Sequence, residues 1–172
     1  MLLNMKVKIL YISSKKNSGK TSVCKNINKI FTQKYGAPSQ LCVYNNKNKK
    51  DFAHIYYGIT KQGKPVVIIL NSTSDLDLII QMFIDNLKQF LTSINVPNND
   101  DIILITAIRN EGDVMRKKLE KELDNLFPDK EIVEIPLSRV NQNSSSHVHG
   151  WYHTKIEELI FHTLKNQPFN VL

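Results

Sequence analysis

Arginine, cysteine and long apolar runs are all scarce in this chain, and each shortage removes a class of protein. Two cysteines among 172 residues, Cys24 and Cys42, cannot build a disulfide framework, and both fall inside predicted elements, which points to a reducing compartment. No apolar segment approaches the roughly 20 residues needed to span a bilayer. The opening stretch MLLNMKVKILYIS has too short an apolar run, and no small-residue cleavage site, to read as a signal peptide. The sequence therefore predicts a soluble, cytoplasmic protein with no membrane partner. No repeat, linker or low-complexity block divides it, so one domain over residues 1–172 is expected, long enough to bury a substantial core.

Acids are also missing from one part of the chain. Residues 1–64 hold thirteen lysines and a single acid, Asp51, whereas residues 65–172 hold ten Lys or Arg against fifteen acids. A field of that sign favours an anionic ligand, nucleotide or nucleic acid. A general bias toward Asn, Lys and Ile is an equally good source of the lysine excess.

What is present is an alternation of short apolar runs with amphipathic helices. VKILYIS (7–13) reads as a buried strand, and residues 20–35 as a helix with Val23, Ile27, Ile30 and Phe31 on one face and Gly36 as its stop. QLCVYN (40–45) is a second strand, and AHIYYGIT (53–60) and PVVIILN (65–71) flank a glycine-bearing turn as a hairpin. A long helix follows over residues 72–94, with Leu76, Ile79, Ile80, Phe83, Leu87, Phe90, Leu91 and Ile94 facing the core and Ser74 with Asp77 as its cap. Residues 101–108 form a strand, 111–127 a helix ended by Pro128, 131–137 a strand, and Trp151 to Leu164 a last helix. The predicted fold class is α/β: a three-layer sandwich with a mostly parallel sheet of about five strands flanked by helices, plus an antiparallel hairpin strand. The polar segment 138–150 is the longest predicted loop.

The stretch LYISSKKNSGKTSVCKN stands between the first strand and the first helix. Ser14, Lys15, Lys16, Asn17, Ser18, Gly19, Lys20 and Thr21 fit the phosphate-binding frame G-x-x-x-x-G-K-[ST], with serine at the first glycine position. Gly19 lets the backbone approach phosphates closely, and the loop amides with the helix N-terminus supply positive potential as far as Ser22. Lys20 neutralises the β- and γ-phosphates in this arrangement, and the Thr21 hydroxyl belongs on magnesium.

With that loop at the head of a β/α alternation, the chain resembles the P-loop NTPase superfamily, and within it the small nucleotide and metabolite kinases. It lacks the D-x-x-G motif of that superfamily's GTPases. The resemblance implies ATP or another nucleoside triphosphate, magnesium, and phosphoryl transfer to an unidentified small-molecule acceptor or hydrolysis. It also implies an acid at the end of an apolar strand. The best matching strand ends in Asn71, which gives magnesium no charge. Asp75 is the substitute metal-side candidate, although Asp75 and Asp77 read equally as acids favouring a helix dipole.

The three arginines complete the candidate set. Arg109 follows a strand at its carboxyl end, where open α/β sheets bind ligands, and is a catalytic candidate with Lys20. Arg139, Val140 and Asn141 begin the long loop and are candidate base-side contacts, while Arg116 reads as part of a solvated helix face. His147, His149 and His153 lack zinc spacing; His149 or His153 remains open as an acid or base. The alternatives to a kinase or ATPase are a nucleotide-binding regulatory module with little turnover and a nucleic-acid-associated NTPase. The last lacks an aromatic-interleaved basic signature.

Overall fold

The computed structural model describes residues 6–15, 19–44, 51–94, 101–138 and 146–172. They form β1 (Val7–Ser14), α1 (Lys20–Tyr35), β2 (Ser39–Cys42), β3 (Ala53–Ile59), β4 (Pro65–Asn71), α2 (Asp77–Ser93), β5 (Asp101–Arg109), α3 (Val114–Leu126), β6 (Lys130–Pro136) and α4 (Ser146–Lys165). The strands make one sheet in the order β2-β3-β4-β5-β1-β6. β1 runs parallel to both β5 and β6, and β4 parallel to β5, whereas β3 is antiparallel to β2 and to β4. The fold is thus α/β, with a strand for each of the six apolar runs and with two antiparallel pairings instead of one. The second arises because the connection from Cys42 to Ala53 is too short for the crossover that a parallel neighbour requires. The β3–β4 hairpin forms as its turn chemistry predicts, with Gly63 at φ 76° and Thr60 N–H donating to Lys64 O at 2.8 Å.

Successive residues of the central strands enter two different apolar clusters, as a pleated strand with both faces covered must. Val7, Ile9 and Tyr11 of β1 join Val67, Ile69, Ile102 and Leu104 with Phe83 and Leu87 of α2 and Leu119 and Leu123 of α3. Leu10 and Ile12 join Ile68, Leu70, Ile103 and Ile105 with Val23, Ile27 and Phe31 of α1 and Ile160 and Leu164 of α4. Each fully buried Ile or Leu contributes about 1.5–3 kcal/mol of transfer free energy. Strand β1, buried along nearly its whole length between two parallel neighbours, is the stiff rod from which the loop after Ser14 departs.

Three helix boundaries differ from expectation. α2 is capped by Leu76 in extended geometry without a side-chain hydrogen bond. Ser74 is buried, and its hydroxyl has no partner among the described residues. Leu76 is exposed instead of facing the core, and the helix cap falls two residues later than the expected Ser74. α3 begins at Val114, since the Asp113 carboxylate accepts from Met115 N–H at 2.8 Å and ends the preceding turn at Gly112. α4 begins at Ser146 and runs through Gly150, whose carbonyl accepts from the Thr154 hydroxyl at 3.0 Å, so the loop expected over 138–150 is shorter. Residues 139–145 lie outside the described residues. No helix among the described residues is long and apolar enough to cross a membrane.

Candidate functional site

The carboxyl ends of β1, β4 and β5 converge because the three strands are parallel and adjacent in space. Ser14 stands opposite Arg109 in the β1–β5 register, and Asn71 opposite Thr106 in the β4–β5 register. The chain leaves β4 through Ser72, Thr73 and Ser74, all buried, and brings Asp75 to the same end of the sheet.

Helix α1 begins where the sequence places it. Its N-cap is Gly19 at φ 87° and ψ 6°, the left-handed region that strains any residue with a Cβ. Space is not the constraint, since a Cβ there would meet only the His153 ring at 3.7 Å. Lys20, the first helical residue, is buried and turns its ammonium back to the end of β1. Nζ donates to Lys15 O at 3.0 Å and Ser14 Oγ at 3.1 Å, and lies 3.4 Å from Ser14 O. The Ser14 hydroxyl in turn donates to Lys15 O at 2.9 Å. Serine at the first glycine position is therefore an acceptor for the loop lysine as well as a strand exit. Burial pulls the Lys20 pKa down and the nearby Arg109 adds to this, while Asp75 opposes it.

Asp75 lies between two cations: its Oδ1 is 2.8 Å from Arg109 Nε and 3.9 Å from Lys20 Nζ. The structure thus brings together Ser14, Lys15, Lys20, Arg109 and Asp75 from the predicted set. Thr21 goes elsewhere, its hydroxyl facing Asp51 Oδ1 at 3.5 Å. Ser22 is exposed on the next helical position. Lys16, Asn17, Ser18, Arg139, Val140 and Asn141 lie outside the described residues, as do the side chains of His147 and His149. His153 is on α4 beside Gly19, with its ring edge to the Tyr152 ring.

Asn71 is held on every polar atom of its amide. Its Oδ1 accepts from the Tyr44 hydroxyl at 2.7 Å, and its Nδ2 donates to Thr73 O at 2.7 Å and Thr106 Oγ1 at 3.0 Å. A carboxylate could not donate to the Thr73 carbonyl, so this network selects asparagine on structural grounds.

Arg116 overturns the expectation of a solvated helix face. It is buried, pairs two-pronged with Glu134 at 2.8 Å on both nitrogens, donates from Nε to Glu120 at 2.7 Å, and reaches Arg109 O at 3.3 Å. It fastens α3 to β6 and to the end of β5. A lysine-rich helix carrying one arginine hides this role, because the partner acid Glu134 is remote in sequence. Asp51 carried a better signal, being the single acid in the first 64 residues.

Beside this cluster a cavity of about 730 Å³ opens at the carboxyl ends of β1, β5 and β6. Ser13, Lys15, Asn110, Glu134, Leu137 and Ser138 line it. The Tyr152 hydroxyl accepts from Ser138 N–H and ties α4 to its rim. Among the described residues, no three of His, Cys, Asp and Glu gather as a metal site. No family model, curated protein or solved structure matches this chain.

Proposed function

We propose that this chain is a P-loop protein that binds ATP or another nucleoside triphosphate with magnesium and acts on its terminal phosphoryl group. The observation that carries the reading is Lys20: a buried ammonium on the first turn of a helix, preceded by a left-handed glycine, at the carboxyl end of the interior strand β1. The two apolar clusters on alternating strand positions support the three-layer sandwich of the P-loop NTPase superfamily, of the small-kinase kind, as its architecture.

In this reading the loop amides and the N-terminus of α1 receive the phosphates. Lys20 and Arg109 face the charge that develops on the transferring group. The 730 Å³ cavity is of a size for the nucleoside, since small-molecule sites run about 300–1,000 Å³. Arg139 and Asn141 follow its rim residue Ser138 in sequence. Thr21 and Asp51 offer two oxygen donors, which suits magnesium, an ion held by one or two carboxylates together with substrate phosphates. When bound, the ion would neutralise phosphate charge. The acceptor, a small molecule or water, would attack in line with the departing diphosphate.

A second reading is a nucleotide-binding regulatory module with little turnover. It is favoured by the complete engagement of Asn71, which leaves the end of β4 without a carboxylate. Calorimetric titration with ATP and magnesium, repeated on Lys20→Ala, tests what the two readings share: binding in the parent and its loss in the variant are expected, and undiminished binding in the variant sinks the phosphate loop. Lysine-dependent phosphate release or transfer then selects the enzyme.

A further inference from the structure

We infer that Asp75 is a built-in counter-anion that occupies the position of a ligand phosphoryl group between Lys20 and Arg109, and that a polyphosphate binds by displacing it. The inference rests on the phosphate-loop reading and goes beyond it, because it assigns Asp75 a role opposite to that of a metal ligand.

Three observations carry it. The first is placement. Asp75 Oδ1 sits 2.8 Å from Arg109 Nε and 3.9 Å from Lys20 Nζ, so one carboxylate oxygen serves both cations at this end of the sheet. Any phosphate oxygen reaching those two groups must take the same space.

The second is a gradient of exposure. The side chains of Lys20 and Arg109 are 6 % and 10 % exposed, whereas that of Asp75 is 33 % exposed. The cations are walled in, and Asp75 Oδ1 is buried against them, while the rest of the Asp75 side chain is open to water. Asp75 also belongs to the short irregular segment between β4 and α2, so its withdrawal breaks no helix or strand pairing.

The third is the quality of the bonding. Arg109 Nε and Asp75 Oδ1 are close as charges, yet neither has a directed hydrogen bond among the described residues. Arg116 shows the contrast, locked two-pronged onto Glu134. One arginine is fixed, and the other is held by an exchangeable partner. Lys20 is already held from behind by Ser14 and Lys15, so an incoming anion reaches it on the Asp75 side.

The test uses the full chain and inorganic tripolyphosphate without magnesium, which removes any metal role from the comparison. Replacement Asp75→Asn is expected to tighten tripolyphosphate binding at least tenfold. Asp77→Asn, which removes an exposed acid paired with Lys118 two residues away, is expected to change it less than twofold. Equal or weaker binding in Asp75→Asn overturns the inference, as does an equal gain in both variants, which would mark a general field effect. Asp75→Ala repeats the measurement should the asparagine variant be unstable. Absence of tripolyphosphate binding in the parent and in every variant would bring down the phosphate-loop reading together with the inference. A parent that binds through Lys20 while Asp75→Asn shows no gain overturns the inference alone.

Discussion

Thr21 Oγ1 and Asp51 Oδ1 stand 3.5 Å apart, although thirty residues separate them in the chain. The acid that faces the Thr21 hydroxyl thus comes from the segment before β3 and not from the end of β4. A magnesium ion beside Thr21 would find its carboxylate there.

Replacement Asp51→Asn is accordingly expected to remove most of the magnesium dependence of nucleotide binding. Metal-site partners of this kind are worth roughly 10–100-fold in metal affinity. Titration of ATP with and without magnesium checks this. A variant that keeps the full magnesium enhancement would show that Asp51 serves only the fold.

Asn71→Asp is expected to destabilise the chain by about 2–4 kcal/mol, because it sets a carboxylate against the Thr73 carbonyl and deprives Thr106 of a donor. Urea unfolding reads the loss. The substitution restores the acid that the superfamily pattern expects, yet no gain in phosphate release should accompany it.

Glu134 supplies a pH test. Its two-pronged bond from Arg116, helped by a hydrogen bond from Ser13 and opposed by partial burial, holds its pKa below the ordinary 4.5. A depressed folded pKa means stability that is present above pH 4.5 and is lost as pH falls through the lower folded value. Glu134→Gln should therefore cost about 1 kcal/mol near neutrality, a small figure because water screens the partly exposed carboxylate. Denaturation curves of parent and variant should draw together in acid below that window. A gap that persists there would assign the loss to packing.

Gly58→Ala probes how α1 seats on β3. A Cβ at Gly58 would lie 2.8 Å from Tyr35 Cε1 and 3.0 Å from its Cζ. The ring has little room to retreat, since its hydroxyl donates to Val171 O. A loss of about 1–3 kcal/mol is expected, as for overpacked cores. Tyr35→Leu in the same background should recover part of it, which a double-mutant cycle would record as coupling.

Elements with a clear period were legible before the structure. α1 begins and ends at the expected residues, because Gly19 and Gly36, at φ 87° and 88°, mark both ends. The β3–β4 hairpin was equally plain from its turn. The α2 start was not, since Ser74 has the chemistry of a cap but is buried before the helix begins. The loop lysine and Arg109 could be named from their order along the chain. Their sharing of Asp75 could not, because it depends on three strand ends meeting. Arg116 was misread for the same reason: its burial depends on Glu134, which only the β1–β6 pairing brings near.

The place of β1 in the sheet also bears on how the protein is made. This strand is synthesised first, yet its two neighbours, β5 and β6, are the last two strands to be made. During translation β1 therefore lacks its full pairing until residue 136 has emerged. Such long-range pairing is slow and leaves the strand edges open meanwhile. The sheet end that carries Lys20 and Arg109 is thus completed late, and a nascent chain stalled before β6 would leave one edge of β1 open to chaperones.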